Sequence, residues 1–93
     1  MSKEMYDACD RIEKYLRDNR IYCDVYPYGV DMPVVNVEIS WGDWKHEHLR
    51  AKWLMGEVGA VYVNTVETEE NGTDCYSAVH RFIVGNDILR EVA

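Results

Sequence analysis

The sequence predicts a two-layer α+β sandwich with the element order α-β-β-α-β-β, in which a four-stranded, mainly antiparallel sheet carries two helices on one face. Three observations predict it. Residues 3–19 and 43–57 repeat apolar side chains at the three- and four-residue spacing of a helix. Residues 21–41 and 60–84 alternate as strands do. Each of these two stretches has turn-forming residues at its middle, so each is predicted to form a hairpin.

The size and charge of the chain limit what it can be. It has 93 residues, of which 47% are hydrophobic, and we expect one domain spanning residues 1–93. A domain of this length buries roughly two-thirds of the surface of its unfolded chain, so a core is feasible but a deep enzyme cleft is not the default. The net charge of −7 argues against direct nucleic-acid binding, because phosphate contacts need a basic stripe.

Two features favour a cytoplasmic location. No apolar run approaches the roughly 20 residues of a membrane span, and the start Met1-Ser2-Lys3-Glu4 has no apolar signal segment. Cys9, Cys23 and Cys75 are odd in number and widely spaced, which is typical of reduced, buried thiols rather than of a disulfide framework.

The first helix and the first hairpin have clear inward faces. One apolar stripe runs along the helix and is made of Met5, Ala8, Cys9, Ile12, Tyr15 and Leu16. The hairpin strands, 21–26 and 34–41, are joined by a loop of about six residues, and Pro27 is predicted to break the first of them. Their inward residues are Ile21, Cys23, Val25, Val35, Val37, Ile39 and Trp41. Their outward residues are Tyr22, Asp24, Tyr26, Asn36, Glu38 and Ser40.

The second helix carries two apolar stripes. A capping box at 40–43 opens it, and its main stripe consists of Trp44, His48, Ala51, Met55 and Val58, with Leu54 beside it. Leu49 and Trp53 fall on the far side. Either Trp53 packs against the rim of the sheet or a nearby loop, or it is an anchor for a binding partner.

The second hairpin contains Asn71-Gly72, a strong signal for a type I′ turn. With these two residues as the turn, Val61 would face Phe82, Tyr62 would face Arg81 and Val63 would face His80. The helix-side face would then carry Val61, Val63, Thr65, Ala78, His80, Phe82 and Val84. The open face would carry Ala60, Tyr62, Asn64, Val66, Ser77, Val79, Arg81 and Ile83. A circular permutation of the ferredoxin-like arrangement would give this element order, with the second and fourth strands central.

Acidic residues are concentrated on the strands. There is no Lys or Arg between Ile21 and Trp44 or between Trp53 and His80, whereas these segments hold four and five acids. By strand parity the open face is negative and rich in tyrosine, which suits an Arg- or Lys-rich partner through cation–π contact and electrostatic steering. The alternative interpretation is an ordinary solvated acidic surface.

The sequence supports no metal, cofactor or catalytic site. The segment 67–74 lacks the ligand pattern of an EF-hand, and His46 and His48 point about 200° apart on a helix, so they cannot share an ion. His48 and His80 are predicted to form a buried, hydrogen-bonded pair instead. Cys75 and His80 lie on opposite faces of their strand and no nucleophile motif surrounds them, so we expect no enzyme.

The favoured function is therefore a small acidic, non-catalytic module that binds a basic protein, such as a phage or mobile-element inhibitor that blocks the nucleic-acid-binding site of a CRISPR or restriction effector. The alternative is a self-assembling structural subunit, for example a homodimer; a small metal- or ligand-binding enzyme using His48, His80 and Cys75 is less favoured. The predicted partner-binding residues are Tyr22, Asp24, Tyr26, Glu38, Leu49, Trp53, Tyr62, Asn64, Glu67, Glu69 and Glu70.

Overall fold

Two helices and four strands follow one another in the predicted order. They are α1 (Lys3–Asp18), β1 (Asp24–Pro27), β2 (Val34–Ser40), α2 (Trp44–Glu57), β3 (Val61–Glu69) and β4 (Tyr76–Ile83). The structure is a computed structural model that describes residues 3–29, 32–40, 44–69 and 76–85. Trp41, the capping box and the Asn71-Gly72 turn lie outside the described residues.

The four strands form one antiparallel sheet in the order β1-β2-β4-β3, so the second and fourth strands are central, the order that the ferredoxin-like analogy gives. The first hairpin has its predicted six-residue loop, 28–33, at whose ends the Tyr28 N–H donates to the Val34 carbonyl over 2.9 Å. β1 begins at Asp24 rather than Ile21, and it includes Pro27, which the sequence predicts to break it. Proline is tolerated there because β1 is an edge strand.

Both helices cover the same face of the sheet, and the core lies between the two layers. From α1 it takes Met5, Ala8, Cys9, Ile12 and Leu16, the predicted stripe, while Tyr15 packs at the margin. From the other elements it takes Ile21, Cys23, Val35, Val37, Ile39, Ala51, Leu54, Met55, Phe82 and Val84. The inward faces of α1 and of the first hairpin are thus confirmed wherever the structure describes them.

The two helices lie side by side. The Tyr15 hydroxyl donates to the Leu54 carbonyl over 3.1 Å, and Arg50 donates to the Asn19 carbonyl over 2.8 Å. On α2 the predicted stripe is buried at His48, Ala51 and Met55, but Val58 is 36% exposed. Val58 follows the last helical residue, so the helical period that placed it on the stripe no longer applies.

Both helices end in the same hydrogen-bonded motif. Ile21 N–H donates to the Leu16 carbonyl and Arg20 N–H to the Arg17 carbonyl, which is the Schellman pattern. At the end of α2 the same two bonds form: the Ala60 N–H donates to the Met55 carbonyl, and the Gly59 N–H donates to the Gly56 carbonyl. The motif needs a residue with positive φ, and this is Gly59 (85°) in one helix but Arg20 (65°) in the other.

The predicted register of the second hairpin is wrong. Val61 pairs with Ile83 and Tyr62 with Phe82, and beyond an irregularity between Tyr62 and Asn64 the partner of His80 is Thr65 rather than Val63. Val63 is the extra residue of a β-bulge. Glu69 pairs with Tyr76, so at this end the ladder is displaced by two residues from the predicted register.

The bulge changes which face several side chains occupy. Tyr62, predicted on the open face, lies on the helix side with Phe82, whereas Val61, predicted inside, is 60% exposed and shares the open face with Ile83. Val63 is exposed, and Ala60, predicted outside, is buried in the core. Thr65, Ala78, His80 and Phe82 keep the predicted inward face, and Asn64, Val66, Val79 and Arg81 keep the outward one.

Candidate functional site

The outer face of the sheet is one candidate surface. Across the strands one row reads Tyr26, Asn36, Arg81, Asn64, and the next reads Asp24, Glu38, Val79, Val66. Both helices lie on the opposite face, so within the described residues no helix covers these rows. The predicted outward positions Asp24, Tyr26, Glu38 and Asn64 are therefore brought together on one surface, and Tyr62 is not among them.

Two carboxylates stand next to each other at the β1 side of this surface. Asp24 and Glu38 are direct cross-strand partners, and like charges in that position repel each other. Tyr26 donates from its hydroxyl to Oε1 of Glu38 over 2.8 Å, while the Arg17 guanidinium lies 3.7 Å from Asp24. The side chain of Asp24 is largely exposed, so this ion pair is weak. We call the exposed Tyr22, Asp24 and Tyr26 together with the half-buried Glu38 the acidic patch.

Burial and the Glu38 carboxylate raise the pKa of Tyr26 to about 12. Its hydroxyl therefore stays protonated at neutral pH and keeps donating to Glu38. The second tyrosine of the patch, Tyr22, is strongly exposed beside the strand. The patch thus offers two carboxylates and two neutral aromatic rings, which is the chemistry that recognises a guanidinium or ammonium group.

The outer face is not uniformly negative. Arg81 lies at its centre, donates from Nε to Oδ1 of Asn36 over 3.1 Å and sits 4.3 Å from the ring centroid of Tyr28. These contacts fix the side chains of Asn36 and Arg81 on the outer face of the sheet. The negative charge is consequently concentrated at the β1–β2 side of the outer face. The sequence, in contrast, predicts that the whole open face is negative.

A second candidate is an open cleft between α2 and β3, on the helix side of the sheet. Its volume is about 410 Å³, and it is lined by His48, Leu49, Lys52, Tyr62, Thr65, Glu67 and His80. The Lys52 ammonium lies 4.5 Å from the ring centroid of Tyr62. Three predicted partner-binding residues, Leu49, Tyr62 and Glu67, thus belong to the cleft and not to the acidic patch.

The floor of the cleft is a buried histidine pair, so His48 and His80 do meet, a contact that the sequence allows but does not establish. Nε2 of His80 lies 2.8 Å from Nδ1 of His48, and the rings are perpendicular at a centroid distance of 4.5 Å. His80 is only 1% exposed, and His48 is only 6% exposed. On its other side, Nδ1 of His80 lies 2.7 Å from Oγ1 of Thr65, which is 2.5 Å from the Tyr62 hydroxyl.

This chain of contacts has two neutral arrangements. If His80 donates from Nε2 to His48, its Nδ1 must accept from Thr65, and Thr65 in turn accepts from Tyr62. If His48 donates instead, every bond in the chain reverses. Burial lowers the pKa of His80 to about 4, with smaller effects of His48 and Lys52, and burial also lowers the pKa of His48. Both rings are therefore neutral near pH 7.

The geometry of the pair disfavours a metal site. The two nitrogens face each other at hydrogen-bond distance, whereas an ion between them would need about 2 Å to each. Among the residues that the structure describes, no three potential ligands converge. The chemistry that the cleft offers is hydrogen bonding and one cationic side chain.

Leu49 and Trp53 are 66% and 65% exposed on α2. The interpretation that Trp53 packs against the sheet rim or a nearby loop is therefore wrong. Leu49 lines the cleft, and Trp53 lies one helical turn further along the same exposed stripe of α2. Glu69 belongs to β3, but its side chain is not described, and Glu70 lies outside the described residues.

Sequence reasoning missed two members of the cleft. Thr65 could have been found, because strand parity already places it on the same face as His80. Lys52 could not, because its contact with Tyr62 depends on the bulge at Val63 that turns this ring inward.

No protein-family model, no curated protein and no solved structure matches the chain. In the described part of the chain, no helix has the length and apolar character needed to cross a membrane.

Proposed function

We propose that this protein is a non-catalytic module that binds a basic protein through the acidic patch. The observation that carries the proposal is the cross-strand pair Asp24 and Glu38. The exposed Asp24 carboxylate and the half-buried Glu38 carboxylate repel each other side by side, although Tyr26 donates to Glu38 and the Arg17 guanidinium lies 3.7 Å from Asp24. A cation from a partner, placed between the carboxylates, would relieve it.

The rings beside the carboxylates support an arginine-rich partner. Tyr22 and Tyr26 are exposed next to the carboxylates and can stack on a guanidinium plane. The overall charge of −7 adds long-range attraction to a basic surface and steers the encounter.

The proposed class of partner is a nucleic-acid-binding protein. Such proteins hold phosphates with clusters of Arg and Lys, and a surface with two adjacent carboxylates can occupy the same cluster. The module then acts as an inhibitor, of the kind that mobile elements direct against restriction and CRISPR effectors.

We propose the cytoplasm as its location, because the described cysteines Cys9 and Cys23 are buried thiols whose pKa burial raises to about 11 and about 12.

The test is capture of partners from the native host's lysate at low salt, followed by a salt step and mass spectrometry. Three tagged proteins are compared: the wild type, the variant Asp24→Lys/Glu38→Lys, and the control Glu4→Lys/Asp7→Lys, which makes the same charge change at exposed positions of α1. Circular dichroism checks that all three are folded.

We expect the wild type and the control to retain a basic nucleic-acid-binding protein that salt releases, and the patch variant to lose it. A DNA or RNA ligand of that protein should compete with the wild type. Equal capture by the patch variant and the control would refute the assignment of the acidic patch.

A further inference from the structure

The charged side chains beside the two helices are used differently. At the β1 edge, α1 pairs them with backbone groups of the sheet: Glu13 accepts from the Val25 N–H over 3.0 Å, and Arg17 donates to the Cys23 carbonyl over 3.2 Å. On the other side of the sandwich, a lysine and a glutamate line the open cleft between α2 and β3 instead. Charge on that side is therefore available to a molecule that enters the cleft.

Lys52 and Glu67 line the same cleft without pairing with each other. Within the described part of the chain, neither side chain has a hydrogen bond or an ion pair, and the Lys52 ammonium lies over the ring of Tyr62. Both charges act on the histidine pair below them. Beside the main effect of burial, Lys52 lowers the pKa of His48 and His80, whereas Glu67 raises the pKa of His48. The cleft thus holds one cation and one anion at separate positions.

The bulge at Val63 adds a hydroxyl to the cleft. It turns Tyr62 to the helix side, as bulges beside functional sites often do, and there the Tyr62 hydroxyl contacts Oγ1 of Thr65. Tyr62 remains 43% exposed. It is therefore the outer end of the hydrogen-bonded chain that runs through Thr65 to His80, the end that a molecule in the cleft can reach.

One wall of the cleft is apolar. Leu49 lines it and is exposed. The volume of about 410 Å³ lies in the range of small-ligand sites, about 300–1,000 Å³. Such sites combine apolar walls with a few polar groups at fixed positions, and this is the composition of the cleft.

We propose that the cleft binds an α-amino acid with an aliphatic side chain. The carboxylate of the ligand lies between the Lys52 ammonium and the Tyr62 hydroxyl. Its ammonium group faces Glu67, and its side chain lies against Leu49. A ligand with both charges fits better than a simple ion, because Glu67 repels an anion and Lys52 repels a cation.

The bound carboxylate sets the direction of the buried hydrogen-bonded chain. When Tyr62 donates to the ligand, its oxygen accepts from Thr65, and Thr65 accepts from Nδ1 of His80. Nε2 of His80 then accepts from Nδ1 of His48. In the bound state both rings therefore carry their proton on Nδ1, so the histidine tautomers report the contact of Tyr62 with the ligand.

An NMR titration of the isotope-labelled full chain with L-leucine tests the proposal. We expect saturable shifts of the backbone amides of Leu49, Lys52 and Glu67, with a dissociation constant on the order of 1 mM, as for a small ligand in an open cleft. Lys52→Met keeps the length of the side chain and should weaken binding about tenfold. The control Lys14→Met makes the same charge change at an exposed position of α1 and should bind like the wild type. Lys52→Gln replaces Lys52→Met if circular dichroism shows the latter to be unfolded.

Isocaproate, which is leucine without its ammonium group, tests the role of Glu67. It should bind the wild type more weakly than L-leucine does, and Glu67→Gln should remove this preference. In the sample saturated with L-leucine, the ring nitrogens of the histidines should show a proton on Nδ1 of His80.

No saturable shifts at the cleft would overturn the proposal, as would equal binding of L-leucine by the wild type and Lys52→Met. Equal binding of L-leucine and isocaproate by the wild type would overturn the assignment of Glu67. A bound state with the His80 proton on Nε2 would overturn the contact with Tyr62. Partner capture by the acidic patch is independent of these outcomes, since it uses the outer face of the sheet.

Discussion

His80 and His48 join the sheet to α2 through a single hydrogen bond between Nε2 and Nδ1, 2.8 Å long and buried. One ring must donate and the other accept, so the bond exists only while at least one of the facing nitrogens lacks a proton. The contact therefore links the packing of the two layers to pH.

Acidification should destabilise the protein through this pair. The pKa of His80 is lowered from 6.5 to about 4 in the folded chain. As pH falls below 6.5 the unfolded chain takes up the proton first, so stability is undiminished above pH 6.5 and decreases between pH 6.5 and about 4. The loss should approach about 3 kcal/mol. Lys52 opposes protonation of both rings, while Glu67 favours it at His48.

Urea denaturation across this pH range measures the effect. The control is His80→Gln, which should be less stable at neutral pH but should lose less stability on acidification. Equal slopes for the wild type and His80→Gln would contradict the prediction.

Thr65 should be more important for stability than its half-exposed position suggests. Thr65→Val removes the hydroxyl that satisfies Nδ1 of the buried His80, and an unsatisfied buried group costs about 1–3 kcal/mol. Thr65→Ser keeps the hydroxyl and should cost less. The free energy of unfolding at neutral pH distinguishes them, and similar losses for both variants would show that the hydroxyl is not responsible.

Removing the carboxylate that covers the β1 edge should both destabilise the fold and expose the edge. Glu13→Ala leaves the Val25 N–H without its acceptor, at a cost of about 1–2 kcal/mol. Glu13→Gln retains an acceptor oxygen and serves as the control. Amide hydrogen exchange at Val25 should accelerate in Glu13→Ala alone, and an unchanged exchange rate would argue against this role of Glu13.

The two helix ends should respond oppositely to substitution. Arg20 occupies a left-handed conformation, which costs a side-chain-bearing residue about 1 kcal/mol, so Arg20→Gly should leave stability unchanged or raise it. Gly59→Ala places a side chain in the same conformation and should lower stability by about 1 kcal/mol. Thermal unfolding of the two variants compares them directly, and a destabilised Arg20→Gly would mean that the arginine side chain has a role of its own.

Where periodicity is regular, the sequence predicts this structure well. The stripe of α1 and the inward residues of the first hairpin follow from spacing alone, whereas the central position of β2 and β4 comes only from the analogy with the ferredoxin-like arrangement. Spacing places His48 on a helix stripe and His80 on an inward strand face, but it does not by itself show that the two residues meet.

The second hairpin shows the limit of such reasoning. Val61, Tyr62 and Val63 each suit either face of a strand, so their residue types do not mark Val63 as the extra residue. One bulge reverses the parity of the strand before it, and this moves Tyr62 from the open face into the cleft. The closure of the β1 edge could not be predicted either, because it depends on how α1 is rotated above β1.

The closed β1 edge also sets a limit on growth. A sheet with two receptive edges can add molecules at both ends and extend into a fibre. Here the positions at which β1 could accept another strand are taken by Glu13 and Arg17 or lack a donor at Pro27. Strand addition at the β1 edge is therefore blocked, and a sheet of these molecules cannot extend through that edge.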